Sequence, residues 1–454
     1  MTAPATRPRP ARRAIDELSL PVDESLLERL AADEPAWLTA DRRAAFHAWS
    51  RLPGESNLLY TPYIDLRAAQ LEAATVVVGT PTGSTDGRPL PADADGLIEI
   101  SEGRVAALGL SNGAAAAGVT LRALGDDLEA VRDPLTAAKA IADDDRFAQL
   151  TRALWSQGVL VDVPAGVTLT RPIVVRWALG APDRALFART LVRLGDGASA
   201  SVVEEFVPNP DAATTTGQSL FGGTMEVSLG AGASLQVASL QELPENVVAF
   251  QHRTARIGEG AALQWALAQL GGRLVRTRVD NDLVGDRSSV RQVEIVFGSD
   301  EQLFDLTSYT NHIGKDTTGD LLSKAALLEK SRTYLKGLIT IERSANGTDS
   351  FLGEFGMNLS KSARSVAIPS LEIDQPDCRR AAHSSSVGPI DETQLFYLES
   401  RGIPPEEARK FIVLGFLEPV VARVPLASAQ DRLRELLEEK WIAGTDGVSG
   451  EAAA

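Results

Sequence analysis

Four histidines and one cysteine, Cys378, are all the imidazole and thiol groups in this 454-residue chain. The stretch that uses them most pointedly is "AAHSSSVGPIDETQLFYLESRGI", Ala381 to Ile403. There His383 stands among Ala381, Ala382, Ser384 and Ser385, small residues that leave room for an approaching group, and a neutral imidazole is a competent metal ligand. A Ser/His nucleophile is a poor reading of "HSSS", because neighbouring residues of a strand face opposite sides and no orienting acid is identifiable. Cys378 lies five residues before His383. That odd offset puts it on the opposite face of a strand, unless a bulge or the turn suggested by Pro376-Asp377 intervenes.

The remaining histidines offer less. His47 sits beside Phe46 and Trp49 in a helical pattern, which predicts packing or surface exposure, and His252 in "FQHRTARIG" carries no signal. His312, in the polar, strand-like run "DLTSYTNHIG", reads as a satisfied structural histidine directed inward. The chain has no G-x-x-x-x-G-K-[ST] loop, G-x-S-x-G elbow, H-E-x-x-H or paired CxxC. One thiolate cannot hold a metal cluster alone, nor can it form an intramolecular disulfide. A net charge of −16 argues against nucleic acid as a partner, since that affinity depends on clustered Lys and Arg. The opening "MTAPATRPRPARR" is basic and Pro-rich but leads into no apolar h-region, and no run approaches the ~20 apolar residues of a membrane span. A cytoplasmic location away from membranes is the resulting expectation.

The elements that would hold His383 are set by a repeat. Four related turns, "PAGVTL", "GDGASA", "GAGASL" and "GEGAAL", place glycines at Gly166, Gly197, Gly232 and Gly260, at spacings of 31, 35 and 28 residues. Each feeds a run of alternating apolar and polar residues, such as "SLQVASLQE" and "ALQWALAQL", the pattern of a strand with one buried face. Parallel strands ordinarily need helical crossovers, yet residues 158–375 contain no convincing long amphipathic helix. A parallel β-helix removes the conflict, because each strand pairs with its counterpart one coil later. The strand-like runs "RQVEIVFG", "YLKGLITIE" and "SVAIPSLEI" extend it.

The expected fold is therefore mainly β: a right-handed parallel β-helix over 151–388, preceded by a mixed α/β region over 1–150 and followed by a helical domain over 389–454. Within the first region, helix-like intervals separate Leu26, Leu27 and Leu30, and then Trp37, Phe46 and Trp49. In the last, Asp391 can cap a helix that Gly402 ends, and Leu433, Leu436, Leu437 and Trp441 form one apolar stripe.

The segment "LEIDQPDCRRAAHSSSVGPIDETQLFYLESRGIPPEEARKFIVLGF" resembles the C-terminal signature of the SufB/SufD family. The likeness extends back through "FDLTSYTNHIGKDTTGDLLSKAALLEKSRTYLKGLITI" and, more weakly, to "RALWSQGVLVDVPAGVTLTRPIVV". It implies the same β-helix with C-terminal helices, in a subunit that pairs with a paralogue and with a SufC-type ATPase to assemble iron–sulfur clusters. The SufD branch is the nearer one, because SufB sequences usually carry Glu directly after this histidine and here the residue is Ser384. SufD-like sequences commonly show Cys-x-His at this strand; this chain has Ala381 in place of that cysteine.

The resemblance therefore implies a non-catalytic scaffold that binds no nucleotide itself. A transient iron–sulfur cluster would be shared with a SufB-like partner, or with a second copy in a homodimer. His383 is the candidate ligand, with Cys378 secondary, and Gln394, Leu395, Phe396, Tyr397, Arg401 and Gly402 are the candidate ATPase-docking residues. A SufB-like or homodimeric cluster scaffold is the alternative. More distant is a carbohydrate-active β-helix protein, which the 5% aromatic content and the lack of a secretion signal disfavour.

Overall fold

The recurring turns of the sequence are corners of a solenoid. In the computed structural model, which describes residues 14–57, 59–60, 64–79, 89–137, 141–210, 217–424 and 426–451, Gly166, Gly197, Gly232 and Gly260 all have φ between 64° and 72°. That left-handed backbone is cheap only for glycine. The basic segment 1–13 lies outside the described residues. Each corner amide donates to a carbonyl of the next coil: Gly166 to Asp196, Gly197 to Ala231, Gly232 to Glu259 and Gly260 to Asp286. The same ladder continues from Arg287 to Lys315, from Asp316 to Asn346 and from Gly347 to Asp377. Arg287 and Asp316 hold the left-handed conformation without being glycine, at φ 60° and 55°.

Between the corners run two ten-stranded sheets. The first passes from Thr120–Ala123 through Gln157–Val163, Arg184–Leu194, Ser219–Leu229, Val247–Ile257, Leu274–Leu283, Leu303–His312 and Arg332–Ile341 to Arg364–Ile373, with the short strand Thr75–Val76 as its tenth member, paired beside Arg184–Leu194. The second starts at the antiparallel pair Gly96–Ser101 and Arg104–Leu110. It continues through Ile173–Leu179, Ser199–Pro208, Ser234–Gln241, Ala262–Gln269, Ser289–Gly298, Thr318–Leu327 and Asp349–Asn358 to Arg380–Pro389. Coil-to-coil pairing is parallel and in register, so inward residues stack in files: Val202 on Val237 on Trp265 on Gln292, for example. These files make the main core. The molecule is thus mainly β, a parallel β-helix with an N-terminal α/β region and C-terminal helices.

Helices cover both outer faces. α1 (Glu24–Ala31), α2 (Ala36–Arg51), α3 (Asn112–Ala116), α4 (Arg132–Ala137) and α5 (Arg146–Leu154) belong to the N-terminal region. Leu38, Phe46, Phe147, Leu150 and Trp155 share a core with Phe187, Leu220 and Phe250 on the outside of the first sheet. α6 (Glu392–Ser400), α7 (Pro405–Val421) and α8 (Ala427–Glu451) follow the last strand. The stripe Leu433, Leu436, Leu437 and Trp441 joins Val413, Leu417 and Val420 of α7 against Ala266, Val293, Ile295 and Phe297 on the outside of the second sheet. α7 and α8 therefore lie along the solenoid and bury its flank. Among the described residues no helix is long and apolar enough to cross a membrane.

Candidate functional site

Among the described residues nothing stacks on the last coil. Its two strands, Arg364–Ile373 and Arg380–Pro389, are the terminal members of the two sheets. Register sets the direction of each side chain: Ala381 pairs with Ser350, His383 with Leu352, Ser385 with Glu354 and Val387 with Gly356. Ser350, Leu352 and Glu354 are buried in the bore. Ala381, His383, Ser385 and Val387 hence continue the inward files at the open end, where His383 and Ser385 are exposed. Val387 is 40% and Ile373 45% exposed, bare apolar side chains forming a rim on the two terminal strands.

Cys378 does not follow strict alternation. Arg379 and Arg380 both donate their amides to the Thr348 carbonyl, and the strand proper begins at Arg380, so the parity of the strand is reset before His383. The thiol-bearing residue packs with Ala381 and Leu371 against Leu321, Ile339, Ile341 and Leu352, on the inner side. Of the two arrangements open from the sequence, the one with an intervening bulge is found. Cys378 still stays well short of His383, since the strand from Arg380 to His383 alone rises about 10 Å at ~3.3 Å per residue. Among the described residues no three or more His, Cys, Asp or Glu side chains converge as a metal site.

Beneath it lies Glu354, 2% exposed. Its Oε2 accepts the Ile368 amide at 2.9 Å. Burial pushes the carboxyl up to about 8, with the Ile368 amide opposing the shift and the charge of Glu294 adding to it.

The helices beyond the strand are also uncovered. Asp391 caps α6 by accepting the Thr393 amide, and Gly402, at φ 85°, ends it. No residue of α6 is buried. Leu395 and Leu398 are half-buried, whereas Gln394 is exposed and Phe396 and Tyr397 are 71% and 56% exposed. The Arg401 guanidinium stacks over the Tyr397 ring, 5.1 Å from its centroid.

The other histidines take structural places. His47 is exposed on α2. His312 is buried in the bore, bonded to Thr317 and Ser350, and burial lowers its pKa to about 4, which leaves it neutral. His252 proved more engaged than its sequence suggested: Nε2 meets Asp280 at 2.8 Å, and Asp280 also binds Arg278. Nearby, Asp145 caps α5 through the Phe147 and Ala148 amides and receives Arg276 at 2.6 Å. Burial opposes the charge of Asp145, but Arg276 and Arg278 outweigh it and hold the carboxyl well below the usual range. The available signal was "RTRVD", charges at alternate positions on one strand face, Arg276, Arg278 and Asp280. Glu354 had only its place in the period-2 pattern.

Comparison with known proteins accords with this geometry. Residues 177–416 match the family model described as SUF system FeS cluster assembly, SufBD core domain. The chain is 30% identical over 301 residues to the iron-sulfur cluster assembly protein SufD of Bacillus subtilis, a span covering 66% of this chain and 67% of that protein. It is 28% identical over 293 residues to iron-sulfur cluster assembly SufBD family proteins of Staphylococcus haemolyticus and Staphylococcus epidermidis, covering 64% of this chain and 62% of each relative. The staphylococcal matches thus reach less than two thirds of the relatives' own length.

Proposed function

Because the chain belongs to the SufBD core family of the SUF iron–sulfur cluster assembly system, we propose that it is a SufD-like scaffold subunit whose open solenoid end meets a SufB-like partner. The observation that carries this reading is the bare last coil, with His383 facing the bore between two unpaired sheet edges. An exposed parallel edge is a template for another chain, and the apolar rim of Ile373 and Val387 favours being covered. A cluster needs about four thiolate-type ligands, with histidine an occasional substitute. With one cysteine in the chain, most of them come from the partner, and His383 supplies a nitrogen from this side. The cluster is cargo formed at the junction.

Energy for assembly comes from a SufC-type ATPase, which docks on α6 and the start of α7. Exposed Phe396, Tyr397 and Arg401, with Phe411 on α7, are the side-chain types that dominate interface hot spots. A ligand placed directly before these helices is well sited to respond when a nucleotide-driven partner moves them.

In a reconstituted complex, His383→Ala is expected to lower cluster yield, read by the visible charge-transfer absorption, while leaving complex formation and Tm unchanged. Cys378→Ser has a smaller effect. Wild-type yield in His383→Ala, or failure of the chain to co-purify with an ATPase and a cysteine-bearing paralogue, overturns the proposal. Co-purification with a second copy alone favours the homodimeric scaffold.

A further inference from the structure

We infer that Glu354 is a second ligand, beside His383, for a ferrous ion entering the open end, so that this chain offers oxygen and nitrogen where the partner offers sulfur. The inference rests on the reading of the open end as the assembly junction.

Placement comes first. His383 stacks on Leu352, and Glu354 is two residues along the same inward face. With strands about 4.8 Å apart and ~3.3 Å of rise per residue, the two backbones stand roughly 8 Å apart, a span that one ion held by both side chains bridges. The carboxylate also leans outward: its partner Ile368 belongs to the terminal strand of the first sheet, half a coil nearer the open end. The residue stacked on Glu354 from the open end, Ser385, is small.

The space is kept by a missing side chain. A Cβ at Gly337 would stand 2.8 Å from Glu354 Oε1 and 2.5 Å from Leu352 Cδ2, so glycine there preserves the position of the carboxylate.

Charge is the third argument. Four buried carboxylates have cations: Glu204 has Arg253, Glu226 has Arg189, Asp145 has Arg276 and Asp305 has Lys336, whereas Glu294 is held by the Ser308 and Ser323 hydroxyls with no ion pair among the described residues. Glu354 has a backbone amide, and its charged neighbour is another carboxylate, Glu294. A buried acid without a cation is costly to ionise, and a divalent ion supplies the missing charge. Donor chemistry then selects the cargo. Imidazole and carboxylate suit a hexaaquo-derived Fe2+ ion, whereas finished clusters are held by thiolates.

The test is anaerobic Fe2+ binding by equilibrium dialysis to the full chain paired with its SufB-like partner, with Co2+ absorption as a second readout of the ligand set. Glu354→Gln is expected to weaken Fe2+ binding about tenfold or more and to shift the Co2+ bands, with pairing retained and Tm not lowered. Glu354→Asp, which keeps the charge but withdraws the carboxylate, weakens binding likewise and serves if the Gln variant folds poorly. Wild-type Fe2+ binding in both Glu354 variants, alongside loss in His383→Ala, overturns the role of Glu354 and leaves the junction reading standing. Wild-type binding in His383→Ala as well overturns both.

Discussion

The two ends of the solenoid are built on one plan and finished differently. At the first end the second sheet turns back on itself through the antiparallel pair Gly96–Ser101 and Arg104–Leu110, and Ile98, Ile100, Leu121 and Val159 close the bore. At the other end the same inward files run out into Ala381, His383, Ser385 and Val387 with no further coil. Leu352 is buried because a strand stacks on it; His383, one step along the same file, is exposed because none does. Burial in a β-helix is thus conferred by the neighbouring coil. Where that neighbour is missing, the same inward file is left exposed.

The comparison breaks most visibly where intrachain partners are deepest. Asp145→Ala strips the ion-pair partner from buried Arg276, removes the most distant of the carboxylates around Arg278 and uncaps α5, so it is expected to cost about 3–5 kcal/mol in urea unfolding. A loss no greater than that of His383→Ala, expected within about 0.5 kcal/mol, would erase the distinction between covered and open regions.

A middle-sized effect belongs to Glu354, which sits at the boundary. Its native pKa, about 8, is above the ordinary 4.5, so the native state keeps a proton that the unfolded chain has released. Its contribution to stability is whole below the ordinary value, is lost as pH rises toward 8 with a slope of at most roughly 1.4 kcal/mol per pH unit, and is flat beyond. Glu354→Gln should remove that slope, so the variant gains on the wild type steadily from acid to alkaline pH in matched denaturation curves. Parallel pH profiles would show that the carboxyl ionises freely and is not sealed beneath the last coil.

The smallest expected change is on α6. Phe396→Ala and Tyr397→Ala remove exposed rings, so stability should move by less than about 0.5 kcal/mol while ATPase capture in a pull-down falls. Unchanged capture in the double variant would move the docking surface elsewhere.

Four corners of the solenoid were readable because glycine marks a left-handed turn. The corners at Arg287 and Asp316 were not, since each adopts that conformation with a side chain and only the amide ladder reveals it. Cys378 falls at the next place in the same ladder, one residue past Asp377, but without the left-handed backbone. Its face depended on whether a bulge or turn intervenes before the strand, which period-2 counting leaves open. The family signature around His383 was legible as a string of residues; the rim of Ile373 and Val387 and the carboxyl beneath it were not.

From the chain alone came the β-helix, its repeat, the C-terminal apolar stripe and the shortage of thiolates, because alternation, turn chemistry and composition are local properties. Which face each marginal residue takes, the union of Asp145 with Arg276 across 131 positions, the flank on which α7 and α8 lie and the lone carboxyl of Glu354 emerged only on folding. Those features arise from contacts between coils and helices far apart in sequence, whose energies depend on what else is stacked nearby and so leave no mark within any single segment.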